Sequence, residues 1–409
     1  MTQAIVLAGG KGTRLRPMTV NIPKPMLPVG GVPYLAHLMT RAAAAGVDRM
    51  VLATCYLAEV FEPYFGDGSR FGLRLEYAVE EEPLGTGGAI RFAADRLTCG
   101  PAQPVLVFNG DVLSGADLPR LLDRHRTAAA DVTLLLTRVA DPRAFGLVPT
   151  GPDGAVQAFL EKPRTPEEIV TDQINAGCYV FTRSVIDRIP AGVPVSVERE
   201  TFPGLLADDA RVFGVVDPSY WLDLGVPAAF VRASADLVRG VVTSAALPGP
   251  PGESLVLRDA VVDVAARPHG GTCVGPRAIV GASAEVEASV IMADAVIGPG
   301  AVVRRSVIGV GARIGAGAVL EDAVVGDYAQ VAPDMRLGPG TRVEPGAPPP
   351  SNRRDDPAGA RPWSTTTRLE AGPAGMPPAG PASSHTHSHP EGRRRFPAVP
   401  QFLLARRLS

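Results

Sequence analysis

Between Leu255 and Val343 an apolar residue recurs about every six positions, at Val274, Val280, Val286, Val296, Val302, Ile308, Ile314, Val331 and Val343, with glycine, alanine and other small residues between them. A helix would repeat its apolar residues every three or four positions, and a half-buried strand every second one. A six-residue beat kept up through about eleven repeats predicts a parallel β-helix, each hexad forming one short side of a triangular coil. Coils of this kind cannot bury their apolar side alone, so they stack on each other and often on a neighbouring subunit.

Ahead of this zone, from Met1 to about Gly240, short apolar runs alternate with helical patterns: AIVLA, PYLAHLMTRAAAAG, RMVLAT, GTGGAIRFAADRL, PVLVFNGD, DLPRLLDRHRTA and DVTLLLT. Strands alternating with helices imply parallel crossovers and a Rossmann-like, doubly wound α/β sheet, with ligands at the carboxyl ends of its strands. The expected organisation is an α/β domain over 1–240, a linker over 241–254, a hexapeptide-repeat β-helix over 255–345 and a tail over 346–409. The tail is rich in proline, glycine and arginine and is expected to be disordered, with His385, His387 and His389 solvated rather than holding a metal.

A net charge of −2 over 409 residues argues against a general nucleic-acid binder, so any anion site must be local. The four cysteines (Cys55, Cys99, Cys178, Cys273) include no CxxC pair, which fits a reducing cytoplasm rather than a zinc knuckle or disulfide framework. The N-terminus lacks a secretory pattern and no run of about 18 apolar residues occurs, so neither secretion nor a membrane partner is expected.

The local anion site is expected at residues 7–25, LAGGKGTRLRPMTVNIPKP. The strand ending at Leu7 and Ala8 runs into Gly9, Gly10 and Gly12, which let a backbone approach a ligand closely and turn several amides toward an anion. The spacing matches neither a Walker A loop nor a dinucleotide fingerprint. It does place Thr13, Lys11 and Arg14 in the loop, and then Lys24 between two stiffening prolines. Cations around a set of amides suit a triphosphate and a departing pyrophosphate.

These residues resemble the signature of the sugar nucleotidyltransferases, the NDP-sugar pyrophosphorylases, in the form GGxGTRLxPxT followed by PKP. EEPLGTGGAI, FNGDVL, FGLV, FLEKP, INAGCYVF, VSVERETFP and YWLDLG follow in that family's order and spacing, so the likeness covers about residues 1–343. The subgroup most resembled is the mannose-1-phosphate guanylyltransferases, which carry a C-terminal left-handed β-helix. The resemblance implies attack of a sugar 1-phosphate on the α-phosphorus of a nucleoside triphosphate, with loss of pyrophosphate. The nucleophile is already an anion, so the protein's task is to position two anions and shield their charge.

Carried onto this chain, the resemblance implies Arg14, Lys24, Asp111, Lys162 and Asp223 as catalytic groups, with Asp111 and Asp223 holding Mg2+. Two carboxylates suffice for that ion, which takes its other ligands from phosphate and water. Leu7, Ala8, Gly9, Gly10, Gly12, Thr13, Glu82, Pro83, Gly85 and Thr86 would meet the nucleotide. Gly146, Glu161, Lys162 and Asn175 would meet the sugar phosphate, with Glu161 and Lys162 ending an apolar strand. GTP with mannose 1-phosphate is the substrate pair the resemblance implies, while Gly87-Gly88-Ala89 departs from the Ala-Gly-Pro of guanylyl-type relatives and keeps a thymidylyl or uridylyl transfer to a glucose phosphate as the alternative.

Two other classes share parts of this pattern. Acyltransferases also use hexapeptide β-helices, but usually with a histidine base inside the coils, and none lies between Val274 and Val343. His269 is expected in a loop before the regular coils. A non-catalytic regulatory homologue would typically lose a loop cation or a metal carboxylate, and this chain keeps all five charged groups. The β-helix is expected to serve oligomerisation or regulation, making a homo-oligomer the expected state.

Overall fold

The computed structural model describes residues 2–163 and 165–348. The expectations for the tail beyond position 348, its histidines included, lie outside the described residues. The first zone supplies, among shorter pieces, β1 (Thr2–Leu7), α1 (Tyr34–Ala44), β2 (Val47–Thr54), β3 (Arg74–Val79), α2 (Gly85–Ala94), β4 (Pro104–Asn109), β5 (Val112–Ser114), α3 (Leu118–Thr127), β6 (Val132–Arg138), β7 (Gly146–Leu147), β8 (Leu160–Glu161), β9 (Gln173–Thr182), β10 (Val212–Val216), β11 (Trp221–Asp223) and α4 (Pro227–Val238).

Nine strands form one sheet in the order β8-β7-β9-β4-β1-β2-β3, with β6 on β9 and β10 on β6. The β4-β1-β2-β3 part is parallel, as the alternation of strands and helices implies. β9 departs from it by running antiparallel to both β4 and β6. The chain reaches β9 from β6 through the short β7 and β8 without a crossover helix, so it re-enters from the opposite end of the sheet. Both faces are covered, which is why β1 runs apolar from Ala4 to Leu7 instead of alternating. Ala4 and Val6 pack with Leu35, Met39 and Leu121 on one face, and Ile5 packs with Ile90 and Phe202 on the other.

The second zone is a left-handed β-helix of three parallel sheets with six, five and five strands. Its coils are shorter than a strict six-residue beat implies. Cys273 pairs with Val290, Val290 with Val307 and Val307 with Val324, a repeat of 17 residues, so one side of each such coil has five residues. The inner core therefore slips out of phase with the beat, and it takes Ile297 and Val303 where the sequence reading took Val296 and Val302. A buried ladder of hydroxyls lies on the short side. Ser289 N donates to Thr272 Oγ1 at 3.3 Å, Ser306 N to Ser289 Oγ at 3.0 Å and Ala323 N to Ser306 Oγ at 3.0 Å. These hydroxyls pair amides that the shortened side would otherwise leave buried and unsatisfied.

The first coil starts at Ser254–Val256, so His269 lies inside the coils, on a strand paired with Glu285–Glu287, rather than in a preceding loop. There it belongs to a charge ladder. Glu285 and Glu287 stand above it, and Arg304 of the next coil reaches Glu285 Oε1 at 2.7 Å and Glu287 Oε2 at 3.4 Å. No helix among the described residues is long and apolar enough to cross a membrane.

Candidate active site

The carboxyl ends of β1 and β4 are joined where the glycine loop begins. Gly110 N donates to Leu7 O at 2.8 Å, and a Cβ on Gly110 would lie 2.5 Å from that oxygen. The loop itself turns at Gly12 (φ +57°), whose carbonyl accepts from Thr19 Oγ1 at 2.8 Å. A side chain at Gly12 would press on Thr19 and on the Lys24 stem, so this glycine keeps loop and lysine in contact. Buried Pro25 and Met26 hold the short turn that carries Lys24.

A cleft of about 470 Å3 opens over this loop. Leu7, Ala8, Gly9, Gly10, Gly12, Thr13, Arg14 and Lys24 line one side, Pro83, Gly85 and Thr86 another, and Asn109, Gly110 and Asp111 its end. Glu82 is exposed and does not line it. Glu80 does, from a position only 7% exposed. Its Oε2 accepts from Leu84 N at 3.0 Å, and burial raises its pKa above the ordinary carboxylate value.

Two carboxylates meet at the end of the cleft because β5 and β11 pair. Asp223 lies opposite Val112, and Leu224 N donates to Asp111 O at 2.9 Å. Lys24 Nζ is 2.8 Å from Asp111 Oδ2 and 3.7 Å from Asp223 Oδ1. Arg14 closes the group: a Cβ on Gly225 would lie 2.7 Å from its Nη2 and 3.0 Å from Asp223 Oδ2. Burial and then Asp111 raise the pKa of Asp223, against the opposing pull of Lys24 and Arg14. Asp223 Oδ1 is buried with no hydrogen bond. A buried, underbonded carboxylate oxygen beside a second carboxylate is a donor set that fits a hard divalent cation.

The loop leading into α2 explains its glycines. Gly87 N and Gly88 N donate to Val195 O at 2.8 and 3.3 Å, and a Cβ on Gly85 (φ +68°) would lie 2.6 Å from the same oxygen. Thr86 Oγ1 donates to Glu198 Oε2 at 2.7 Å and accepts from Val197 N at 2.9 Å. The helix has no side-chain cap, so this clasp and the buried Ile90, Ala93 and Ala94 fix its start.

The family described as nucleotidyl transferase matches residues 3–240, and the GMPPB C-terminal domain matches residues 251–344. The chain belongs to the nucleotidyl transferase family. It is 58% identical over 289 residues to a mannose-1-phosphate guanylyltransferase of Mycobacterium tuberculosis (strain ATCC 25618 / H37Rv), covering 70% of this chain and 79% of the relative. Mannose-1-phosphate guanylyltransferase 1 of Arabidopsis thaliana is 33% identical over 293 residues, again 70% and 79%. Among solved structures, HddC from Yersinia pseudotuberculosis complexed with GMP-PN is similar with a TM-score of 0.50 and 28% identity, covering 57% of this chain and 98% of that one.

In this nucleotidyl transferase the four residues expected on the sugar side lie outside the cleft, along adjoining strand ends. Glu161 pairs with Gly146, and a Cβ on Gly146 would lie 2.9 Å from Glu161 Oε2. The strand carrying Glu161 is only two residues long, not the apolar run expected. Lys162, at φ +50°, donates its amide to Phe145 O at 3.2 Å and holds its ammonium 3.3 Å from Glu161 Oε1. The Asn175 amide is engaged locally, accepting from Gly177 N at 3.0 Å and donating to Tyr179 Oη at 2.8 Å.

Trp221 ties these residues to the carboxylates, and sequence reasoning missed it. Its ring meets Phe145 edge-on at 5.4 Å and its Nε1 donates to Ala176 O at 3.0 Å, while Asp223 lies two residues along the same strand. Glu80 and Asn109 were missed as well, although Asn109 ends the apolar β4 and Glu80 follows β3, both at strand ends of the parallel sheet where ligand groups are expected.

Proposed function

We propose that this chain joins GTP and mannose 1-phosphate to give GDP-mannose and pyrophosphate, using Mg2+. A phosphate oxygen of the sugar 1-phosphate attacks the α-phosphorus, a new P–O bond forms, and the bond from the α-phosphorus to the bridging oxygen breaks with its electrons leaving on pyrophosphate. The observation that carries the reaction class is the Arg14, Lys24, Asp111 and Asp223 cluster at the end of a glycine-lined cleft.

Asp111 and Asp223 would hold the divalent ion, which when bound shields the negative charge of the phosphate oxygens. Arg14 and Lys24 orient the triphosphate and stabilise charge building on pyrophosphate, from positions fixed before the reaction. Lys162 meets the sugar phosphate, and Glu161, Asn175 and the space over Gly146 receive the sugar hydroxyls. The glycine-loop amides and the Pro83 to Thr86 loop grip the nucleotide.

Guanine and mannose are supported by the 58% identity to the mycobacterial guanylyltransferase. Glu80 adds a physical reason. A carboxylate accepts hydrogen bonds, and guanine presents two adjacent donors, N1–H and the N2 amino group, where thymine and uracil offer only one. The four free cysteines support a cytoplasmic setting, and exposed Val261, Val264 and Ile279 on the early coils support assembly with copies of itself.

The test is pyrophosphate release with Mg2+ across GTP, dTTP, UTP and ATP, each with mannose, glucose and N-acetylglucosamine 1-phosphates. Turnover confined to GTP with mannose 1-phosphate is expected. Turnover with another pair would keep the mechanism and overturn the substrates, and silence from folded protein would overturn the enzyme reading.

A further inference from the structure

Cys273, Val290, Val307, Val324 and Arg342 are stacked by strand pairing into one ladder along the β-helix. The residues that follow the first four, Val274, Ile291, Ile308 and Val325, belong to the inner core of the coils. Successive residues of a strand point to opposite faces, so the ladder faces outward. An outward ladder should be wet, yet Val290, Val307 and Val324 are 2%, 0% and 3% exposed. They are covered by the transferase unit, in one apolar cluster with Leu15, Leu224, Phe230 and Val231. At the end of the ladder Arg342 Nη1 donates to Arg16 O at 2.5 Å.

Leu15 and Leu224 are 1% and 2% exposed, and they are the chain neighbours of Arg14 and Asp223. We infer that the outward ladder positions Arg14 and Asp223 for the transfer, with Val307 as its central positioning residue. The inference rests on the reaction proposed above. A close-packed interior relaxes only partly around a lost group, so a missing methyl pair in the cluster that holds Leu15 and Leu224 is felt by the residues they carry. Misplacing a reacting group by about 1 Å can cost about a hundredfold in rate. The β-helix then supports the active site from behind, through Leu15 and Leu224, without lining the cleft.

Three variants separate positioning from plain stability. Val307→Ala deletes volume from the docking face. Val307→Thr keeps the shape but buries a hydroxyl, so it lowers stability without opening space. Ile308→Ala, one residue along, deletes volume from the interior of the coils and leaves the docking face intact. The readouts are melting temperature, kcat and KM with the substrate pair that wild type uses, and Mn2+ affinity measured without substrates.

Val307→Ala is expected to lower kcat by about tenfold or more with KM within about threefold, and to weaken Mn2+ binding. Val307→Thr and Ile308→Ala are expected to melt earlier while keeping kcat and Mn2+ affinity within about twofold of wild type. Unchanged kcat in Val307→Ala, or an equal fall in Ile308→Ala, would overturn the inference. If Val307→Ala does not fold, Val324→Ala on the next coil is read by the same criteria. Wild type inert with every substrate pair would sink the proposed reaction, and the Mn2+ comparison would still decide the ladder's role.

Discussion

Asp111 and Asp223 are bound to each other through the backbone, Leu224 N donating to Asp111 O at 2.9 Å, so two like charges are held together by a strand pair that neither can leave. Lys24 offsets part of their repulsion. The arrangement costs stability and supplies a charged site, the usual trade where function needs groups that folding alone would separate.

That trade has a pH signature. Burial and Asp111 raise the pKa of Asp223, so the folded chain holds this proton more tightly than the unfolded chain does. Below the ordinary carboxylate pKa of about 4 both states are protonated and the site costs nothing. As pH rises through the raised folded value, ionisation is paid in stability. Metal-free Asp223→Asn should therefore melt above wild type at neutral pH, with the gap closing toward pH 4. Its kcat/KM should fall by about a hundredfold or more. Mg2+ should raise the wild-type melting temperature at neutral pH and lose that effect in the variant. Thermal melts across pH, with and without Mg2+, check all three.

Glu80 is expected to choose the base. Glu80→Gln replaces one acceptor with a donor and should lower kcat/KM for GTP by about 10- to 100-fold, the span of about 1–3 kcal/mol for a lost paired contact to a base edge. The variant should also discriminate less sharply between GTP and dTTP or UTP in the same pyrophosphate assay. A fall for GTP with discrimination unchanged would assign Glu80 to holding Leu84 alone.

The glycine loop could be read from the sequence because its chemistry is local: Gly9, Gly10, Gly12, Arg14 and Lys24 lie within one short stretch that a single strand end presents. Asp111 was readable for the same reason, as the residue just beyond an apolar strand. Trp221 was not, because its role arises from contacts with the distant Phe145 and Ala176, and Glu80 was not, because Arg74 and Glu76 break the apolar pattern of the strand before it. The β-helix was legible as a period but not in its phase, since a coil with one five-residue side looks locally like a coil with three sixes. The doublets Val290-Ile291, Val307-Ile308 and Val324-Val325 did not reveal the covered face either, because Val261-Val262 and Ile279-Val280 show the same pattern with Val261 and Ile279 exposed.

The turn into α2 gives a backbone prediction. At Gly85 the φ of +68° and a Cβ position 2.6 Å from Val195 O both exclude a side chain. Gly85→Ala should cost about 1–3 kcal/mol in stability and push the Pro83 to Thr86 loop off Val195. KM for GTP should rise while KM for mannose 1-phosphate stays close to wild type, since the sugar-side residues lie on other strands. Denaturant titration and steady-state kinetics on one preparation test both parts.

The hydroxyl ladder predicts a purely structural effect. Ser306 Oγ accepts from Ala323 N and donates to Arg304 O at 2.7 Å, inside the coils. Ser306→Ala leaves both backbone groups buried without that partner, a loss of about 1–3 kcal/mol that should appear as a lower melting temperature. Ser306→Thr keeps the hydroxyl, as Thr272 does on the second coil, and should recover most of the loss. Neither change removes a side chain from the outward ladder, so kcat should hold in both. A fall in kcat for Ser306→Ala that Ser306→Thr restores would mean that this hydroxyl also holds Val307 and Val324, the chain neighbours of Ser306 and Ala323, in place.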